Sequence, residues 1–156
     1  MSKRGFEFIS EKQMVEDGVS EGLHKLPERG TSHSAGYDFY SPIDFVLEPN
    51  QFVKIPTAVK AYMLADEVLQ IYIRSSLGFK HNLRIVNQTG IIDSDFYNNE
   101  GNEGHIWIKI QNEGTEKFEI KAGDRIAQGI FSKYLLVDGD KFEGKERKGG
   151  TGSTGE

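Results

Sequence analysis

Hydrophobic and β-branched residues in this chain come in short runs parted by polar, glycine-containing breaks. Phe45-Val46-Leu47, Phe52-Val53-Lys54-Ile55, Leu69-Gln70-Ile71-Tyr72-Ile73 and Ile106-Trp107-Ile108-Lys109-Ile110 read as strands. In the last run Ile106, Ile108 and Ile110 alternate with Trp107 and Lys109, the two-residue period of a strand with unlike faces. Turn formers follow at Glu48-Pro49-Asn50, at residues 98–102, at Asn112-Glu113-Gly114 and at Lys121-Ala122-Gly123-Asp124. Helical signals are few. Ser10-Glu11-Lys12-Gln13 fits a capping box for a short helix, with Gly18 and Gly22 soon after, and residues 75–80 predict a single turn or short helix. The pattern predicts an all-β domain of many short strands, a barrel or jelly roll, without internal repeats.

Composition narrows this picture. The 156 residues suit one domain, and 37% hydrophobic content can fill one core. Glycine is abundant, 18 of 156, in keeping with closely spaced turns. With no cysteine there is no disulfide framework, thiol nucleophile or Cys-ligated zinc. No apolar run approaches a membrane span, and Met1-Ser2-Lys3-Arg4 leads into no secretory leader, so a cytoplasmic protein without membrane contact is expected. Nineteen basic against 24 acidic residues give a net charge of −5, which argues against direct nucleic-acid binding. A polyanionic small ligand would need local cations, backbone amides or a metal. Residues 139–156 are rich in Gly and charge with little apolar content beyond Phe142, so residues 1–138 form the expected domain and 139–156 a mobile arm.

Five segments could carry chemistry. The arm's Arg147-Lys148-Gly149-Gly150-Thr151-Gly152-Ser153-Thr154-Gly155 offers amides, hydroxyls and cations to phosphate; the bland alternative is a solubilising tail. It lacks the Gly-Lys-Ser/Thr of a Walker loop. Arg74-Ser75-Ser76-Leu77-Gly78 presents a guanidinium fork beside hydroxyls and amides at a helical start, or simply an N-cap with a surface ion pair. In Gly90-Ile91-Ile92-Asp93-Ser94-Asp95-Phe96-Tyr97 two carboxylates two residues apart share one side of an extended chain, suited to activating water, or else they are turn formers. Asp38 in Ala35-Gly36-Tyr37-Asp38 is a structural aspartate or an outer-shell metal partner. Arg125 and Gln128 in Arg125-Ile126-Ala127-Gln128 read as structural by themselves, and the scattered histidines 24, 33, 81 and 105 form no ligand spacing.

Taken in order, these five segments resemble the five motifs of the trimeric dUTPase family, from about Lys25 onward. The enlarged stretch 96–104 is similar to the phage and Gram-positive branch. The resemblance implies a jelly-roll-like β-barrel of the dUTPase β-clip kind, assembled as a homotrimer whose active sites are shared between subunits. It implies hydrolysis of dUTP to dUMP and pyrophosphate by water attack on the α-phosphorus, with Mg²⁺ on the triphosphate. Such an activity limits uracil incorporation into DNA and supplies dUMP for dTMP synthesis. By position, Asp93 matches the aspartate that deprotonates the water. Arg74, Ser75, Ser76, Gln128, Arg147, Gly150, Ser153 and Thr154 match phosphate-binding positions. Asn87, Gly90, Ile91, Ile92 and Trp107 match the nucleoside site, and Asp38 the aspartate that meets the metal through water.

Specificity follows from chemistry. A backbone hairpin mimicking adenine's pairing edge meets cytosine with reversed polarity, while a rigid wall must exclude thymine's methyl. An aromatic ring packed where the 2′-OH would sit refuses ribose; Phe96 fills the aligned slot and Tyr97 follows, so both rings are candidates. Two departures stand out. Thr151 occupies the place of the aromatic that stacks on uracil, and Glu146 takes the usual arginine slot, with Arg147 one position on. Three rival readings compete with this one. A dCTP deaminase shares the fold but needs a glutamate where this chain has Lys109. A binding protein would engage a repressor-type partner through residues 98–103, against the alternative of a solvated loop. A jelly roll that has lost catalysis would retain Asp93, Arg74, Ser75, Asn87 and Gln128 for no purpose.

Overall fold

The computed structural model describes residues 1–19, 22, 24–142 and 147. Twelve strands and two short helices follow one another as β1 (Gly5–Phe8), α1 (Glu11–Glu16), β2 (Glu28–Arg29), β3 (Tyr37–Tyr40), β4 (Phe45–Leu47) and β5 (Phe52–Pro56). Next come β6 (Val59–Tyr62), β7 (Glu67–Ile73), α2 (Ser75–His81), β8 (Leu83–Ile85), β9 (Gly90–Asp93), β10 (Trp107–Asn112), β11 (Phe118–Ile120) and β12 (Arg125–Lys133). One 3₁₀ turn, Ser94–Phe96, leaves β9. The four runs read as strands from their residue pattern lie in β4, β5, β7 and β10.

All pairings are antiparallel. The largest sheet runs β2-β3-β12-β7-β9, a second runs β5-β10-β8, and β1-β6 and β11-β4 form two ribbons. This is the all-β, jelly-roll-like architecture expected from the sequence. Its described ladders stay as four sheets and do not join into one closed ring.

The inner faces of these sheets supply one core. Phe39, Leu69, Ile71, Ile126 and Ala127 come from the large sheet; Ile55, Ile85, Ile108 and Ile110 from the second; Leu47, Ile120, Val59 and Ala61 from the ribbons. Alternation in β10 places Ile108 and Ile110 inside and leaves Trp107 42% exposed. In α1, Ser10 caps the helix by accepting from the Gln13 amide at 3.1 Å. The other half of the capping box is not made. Glu103 takes that role, accepting from the Ser10 amide at 2.8 Å and its hydroxyl at 2.6 Å, while Gln13 donates to Asp17.

Candidate active site

The turn at residues 86–89 connects β8 to β9, and those strands belong to different sheets: β8 pairs with β10, β9 with β7. The chain therefore crosses the seam between sheets and leaves a cleft there. A cavity of about 820 Å³ occupies it, walled by Ile71 from β7, Ile85 from β8, and Trp107, Ile108 and Lys109 from β10. Asn87, Gly90, Ile91, Ile92 and Phe96 line it as well, so five residues expected at a nucleoside site from one stretch of sequence converge with Trp107 from another. The cleft has the size and mixed lining of a small-molecule site.

Tyr97 is not among the lining residues. Its hydroxyl donates to Glu7, its ring meets Tyr62 edge-on at 5.9 Å, and Lys60 sits over it at 5.3 Å. The 3₁₀ turn ends between the two rings, which sends neighbouring side chains to different sides.

Asp93 closes β9 and makes no capping bond to the turn it precedes. Arg147 bridges it to Asp95: Nη2 lies 2.6 Å from Asp93 Oδ2 and Nε 2.8 Å from Asp95 Oδ1. The two carboxylates thus face one guanidinium, although residues 94–96 form a 3₁₀ turn and not an extended chain. Arg147 also lies 5.7 Å from the Phe96 ring centroid and borders the cavity.

The remaining described candidates gather elsewhere. Arg74 opens α2 in an extended conformation, with Ser75 and Ser76 in its first turn. Its Nε lies 3.5 Å from Asp38 Oδ1, and Arg125 Nη1 lies 3.5 Å from Asp38 Oδ2. Gln128 stands opposite Asp38 in the β12–β3 pairing and donates to the Ile73 carbonyl at 3.4 Å. Gly36 makes room for it: a Cβ there would lie 2.4 Å from Gln128 Oε1. Arg74 and Arg125 also border a smaller cavity of about 210 Å³ with Asp124. Two guanidinium groups face Asp38 here, with Asp124 a second carboxylate on the cavity wall, so the cluster balances two cations with two anions.

These two groups stand at opposite ends of β7. Asp93 pairs with Val68, whereas Arg74 follows Ile73. Six residues of strand separate them by about 20 Å. A single chain therefore does not bring Asp93 to the Arg74 cluster. Gly150, Ser153 and Thr154, with Thr151 and Glu146, lie outside the described residues.

Sequence reasoning did not place Lys54 or His105 at the site. Lys54 and Lys109 stand directly opposite one another on β5 and β10, and both line the large cavity. Arg125 joins Asp38. His105 is buried at the cavity edge, with Nδ1 2.6 Å from Asp17 Oδ2 and Nε2 accepting from the Ala58 amide at 3.0 Å. Since a backbone amide can only donate, the proton sits on Nδ1 and the ring is neutral. Burial holds its pKa below the ordinary imidazole value, against the raising influence of Asp17 and Glu103. Spacing along the chain gave no sign of it, because its partners are remote in sequence.

The loop expected as a docking surface is braced from within and exposed at its tip. Asn99 is buried and bonds Phe96, Gly101 and Asn102, while Asn98 and Glu103 both hold Lys60. Asn98, Glu100 and Gly101 are exposed.

Comparison with known proteins agrees with this geometry. The family profile described as dUTPase matches residues 24–155. The deoxyuridine 5′-triphosphate nucleotidohydrolase of Lactococcus lactis is 42% identical over 156 residues, covering 99% of each chain. The mouse protein of that name is 32% identical over 94% of this chain and 91% of its own. Among solved structures, the dUTPase of Streptococcus mutans superposes with a TM-score of 0.70 at 38% identity, over 86% of this chain and 99% of that one. The dUTPase of phage phi11 of S. aureus shares the fold, with a TM-score of 0.69 at 22% identity over 93% and 99%. An acidic turn and a cleft on one flank, and an arginine–aspartate cluster on the other, sit in a chain matched along its whole length by proteins named deoxyuridine 5′-triphosphate nucleotidohydrolase: it belongs to the dUTPase family.

Proposed function

We propose that this enzyme splits dUTP into dUMP and pyrophosphate by attack of water on the α-phosphorus, with Asp93 as general base. The observation that carries this reading is the convergence of Asn87, Gly90, Ile91, Ile92, Phe96 and Trp107 around one cavity beside Asp93. In the proposed step the water oxygen bonds to the α-phosphorus as its proton passes to the Asp93 carboxylate. The bond from that phosphorus to the bridging oxygen breaks, and pyrophosphate leaves with the electron pair. Arg74, Ser75, Ser76 and Gln128 hold phosphate oxygens, and Arg147, with Gly150, Ser153 and Thr154 of the arm, closes over them. Phe96, whose ring borders the cavity, refuses a 2′-hydroxyl; Tyr97 is committed to Glu7.

The separation of Asp93 from Arg74 supports a homotrimer in which neighbouring chains complete each site. Tyr134, Leu135, Leu136 and Val137, which follow β12, expose apolar surface that such an assembly would cover.

Asp38, whose oxygens face Arg74 and Arg125 at 3.5 Å, is the one carboxylate of this cluster that would meet magnesium through water, with no direct ligand set of its own. Among the described residues no three His, Asp or Glu side chains cluster as metal ligands, so the ion would be held by the triphosphate with Asp38 accepting from its waters. Bound there, it offsets phosphate charge. Lys109 on the cavity wall stands where a deaminase needs a glutamate, which weighs against deamination.

Purified protein given dUTP and magnesium should release pyrophosphate and dUMP in equal amounts and form no ammonia from dCTP. Phosphate release from dUTP, or no turnover, would refute the reading.

A further inference from the structure

Asp17 and His105 lie 88 positions apart and meet at 2.6 Å, with the His105 side chain fully buried and the Asp17 side chain 19% exposed. Asp17 ends α1, its amide donating to Gln13 and its carboxylate accepting from the Gln13 side chain. His105 is bound on three sides: Nδ1 to Asp17, Nε2 to the Ala58 amide, and its own amide to the Asn102 carbonyl. The bond to Ala58 fixes a residue of positive φ, +65°, between β5 and β6, a conformation that does not hold itself in an alanine.

Two cavity rings depend on where His105 sits. Trp107 is two residues on, and its ring lies 5.2 Å from the imidazole. Phe96 is reached through Gly104, whose φ is +89° and where a Cβ would lie 2.8 Å from the Phe96 carbonyl oxygen. The loop 97–104 thus returns until its last residue rests on the backbone of its first neighbour. Moving His105 by one ångström moves Gly104 and with it the main chain that aims Phe96.

We infer that the Asp17–His105 pair is a positioning device for sugar discrimination: α1, far from the cavity in sequence, sets the Phe96 and Trp107 rings through it. Neither residue touches the reacting atoms. Glu103 adds a second tie from the same loop to the same helix, through Ser10. The inference rests on the proposed dUTP hydrolysis, and on Phe96 as the ring beside the sugar.

The test compares kcat/KM for dUTP and UTP in the full chain. Asp17→Ala removes the acceptor. It should lower the dUTP preference by about tenfold, a fraction of the roughly hundredfold with which an apolar pocket rejects one added hydroxyl. Asp17→Asn keeps an acceptor oxygen and should restore the wild-type ratio. Circular dichroism and a melting curve establish that each variant is folded. If Asp17→Ala does not fold, Asp17→Glu, which shifts the carboxylate by one methylene, takes its place with the same expected direction. A ratio unchanged in the folded alanine or glutamate variant, or an asparagine variant as impaired as alanine, overturns the inference. If wild-type protein fails to hydrolyse dUTP, the functional reading itself fails, and that result is seen before any variant is made.

Discussion

The guanidinium of Arg147 lies 2.6 Å from the carboxylate of Asp93, at the end of β7 opposite to Arg74. A base already paired to a cation holds its proton-accepting oxygen out of use. On the proposed mechanism a triphosphate competes for that arginine, and its arrival would free Asp93. Asp93→Asn should abolish pyrophosphate release while leaving binding of a non-hydrolysable deoxyuridine nucleotide within a few-fold. Undiminished turnover would remove Asp93 from the role of base.

Arg147→Ala separates the phosphate-binding role from mere charge pairing. A charge-assisted hydrogen bond contributes about 1.5–3 kcal/mol, which corresponds to a loss of roughly 10- to 100-fold at 1.36 kcal/mol per decade. That loss is expected in kcat for dUTP. A rise in turnover would instead make the Asp93 contact purely inhibitory. Steady-state kinetics decide between the two.

If neighbouring chains complete each site, two inactive variants should rescue one another. Arg74→Ala spoils the arginine–aspartate cluster, and Asp93→Asn spoils the base. Mixed after dissociation and reassembly, they leave about a quarter of sites with both residues intact in a symmetric ring. Recovery to about that level is expected; no recovery would place the whole site within one chain.

Much of this architecture was legible before any coordinates. The alternation of Ile106, Ile108 and Ile110 is a local signal, and β10 realises it almost residue for residue. Ser10 gave the start of α1 for the same reason. What escaped notice is non-local. Gly5–Phe8 is short and part-exposed, and its strand exists only because Val59–Tyr62 pairs with it. The cavity set from residue 87 to 96 was visible as a motif. Lys54 and His105 were not, since nothing near them in sequence tells which loop will return beside them. The choice between Phe96 and Tyr97 needed the path of the 3₁₀ turn, which adjacent aromatic letters do not encode.

Stability should fall with acidification in two stages. Burial lowers the folded-state pKa of His105, opposed by Asp17 and Glu103. A depressed value means the unfolded chain binds the proton first, so this contribution is full above the unfolded value of about 6.5 and drains as pH falls below it. Glu67 is held low by its hydrogen bond from Arg4. Glu103 is raised by burial, but Lys60 and Ser10 more than offset this and hold it below the ordinary value. Both contribute fully above the usual carboxylate range near 4.5 and lose that contribution as pH drops through it. The melting temperature should therefore be level from pH 8 to 7, decline toward pH 5, and decline again below about 4.5. A level curve from pH 7 to 5 would contradict the neutral, buried His105.

Thr151 offers the most direct gain of function. The motif resemblance implies an aromatic at this position that stacks on uracil, and threonine has no ring to offer. Stacking of a base on an aromatic side chain is worth roughly 1–3 kcal/mol. Where that contact forms in the transition state, it changes the rate by about one to two decades. Thr151→Phe should raise kcat for dUTP accordingly. A matched drop in KM with kcat unchanged would mean the ring binds ground and transition states alike. Neither parameter moving would show that the cleft formed by Ile91, Ile92 and Trp107 already holds the base without it.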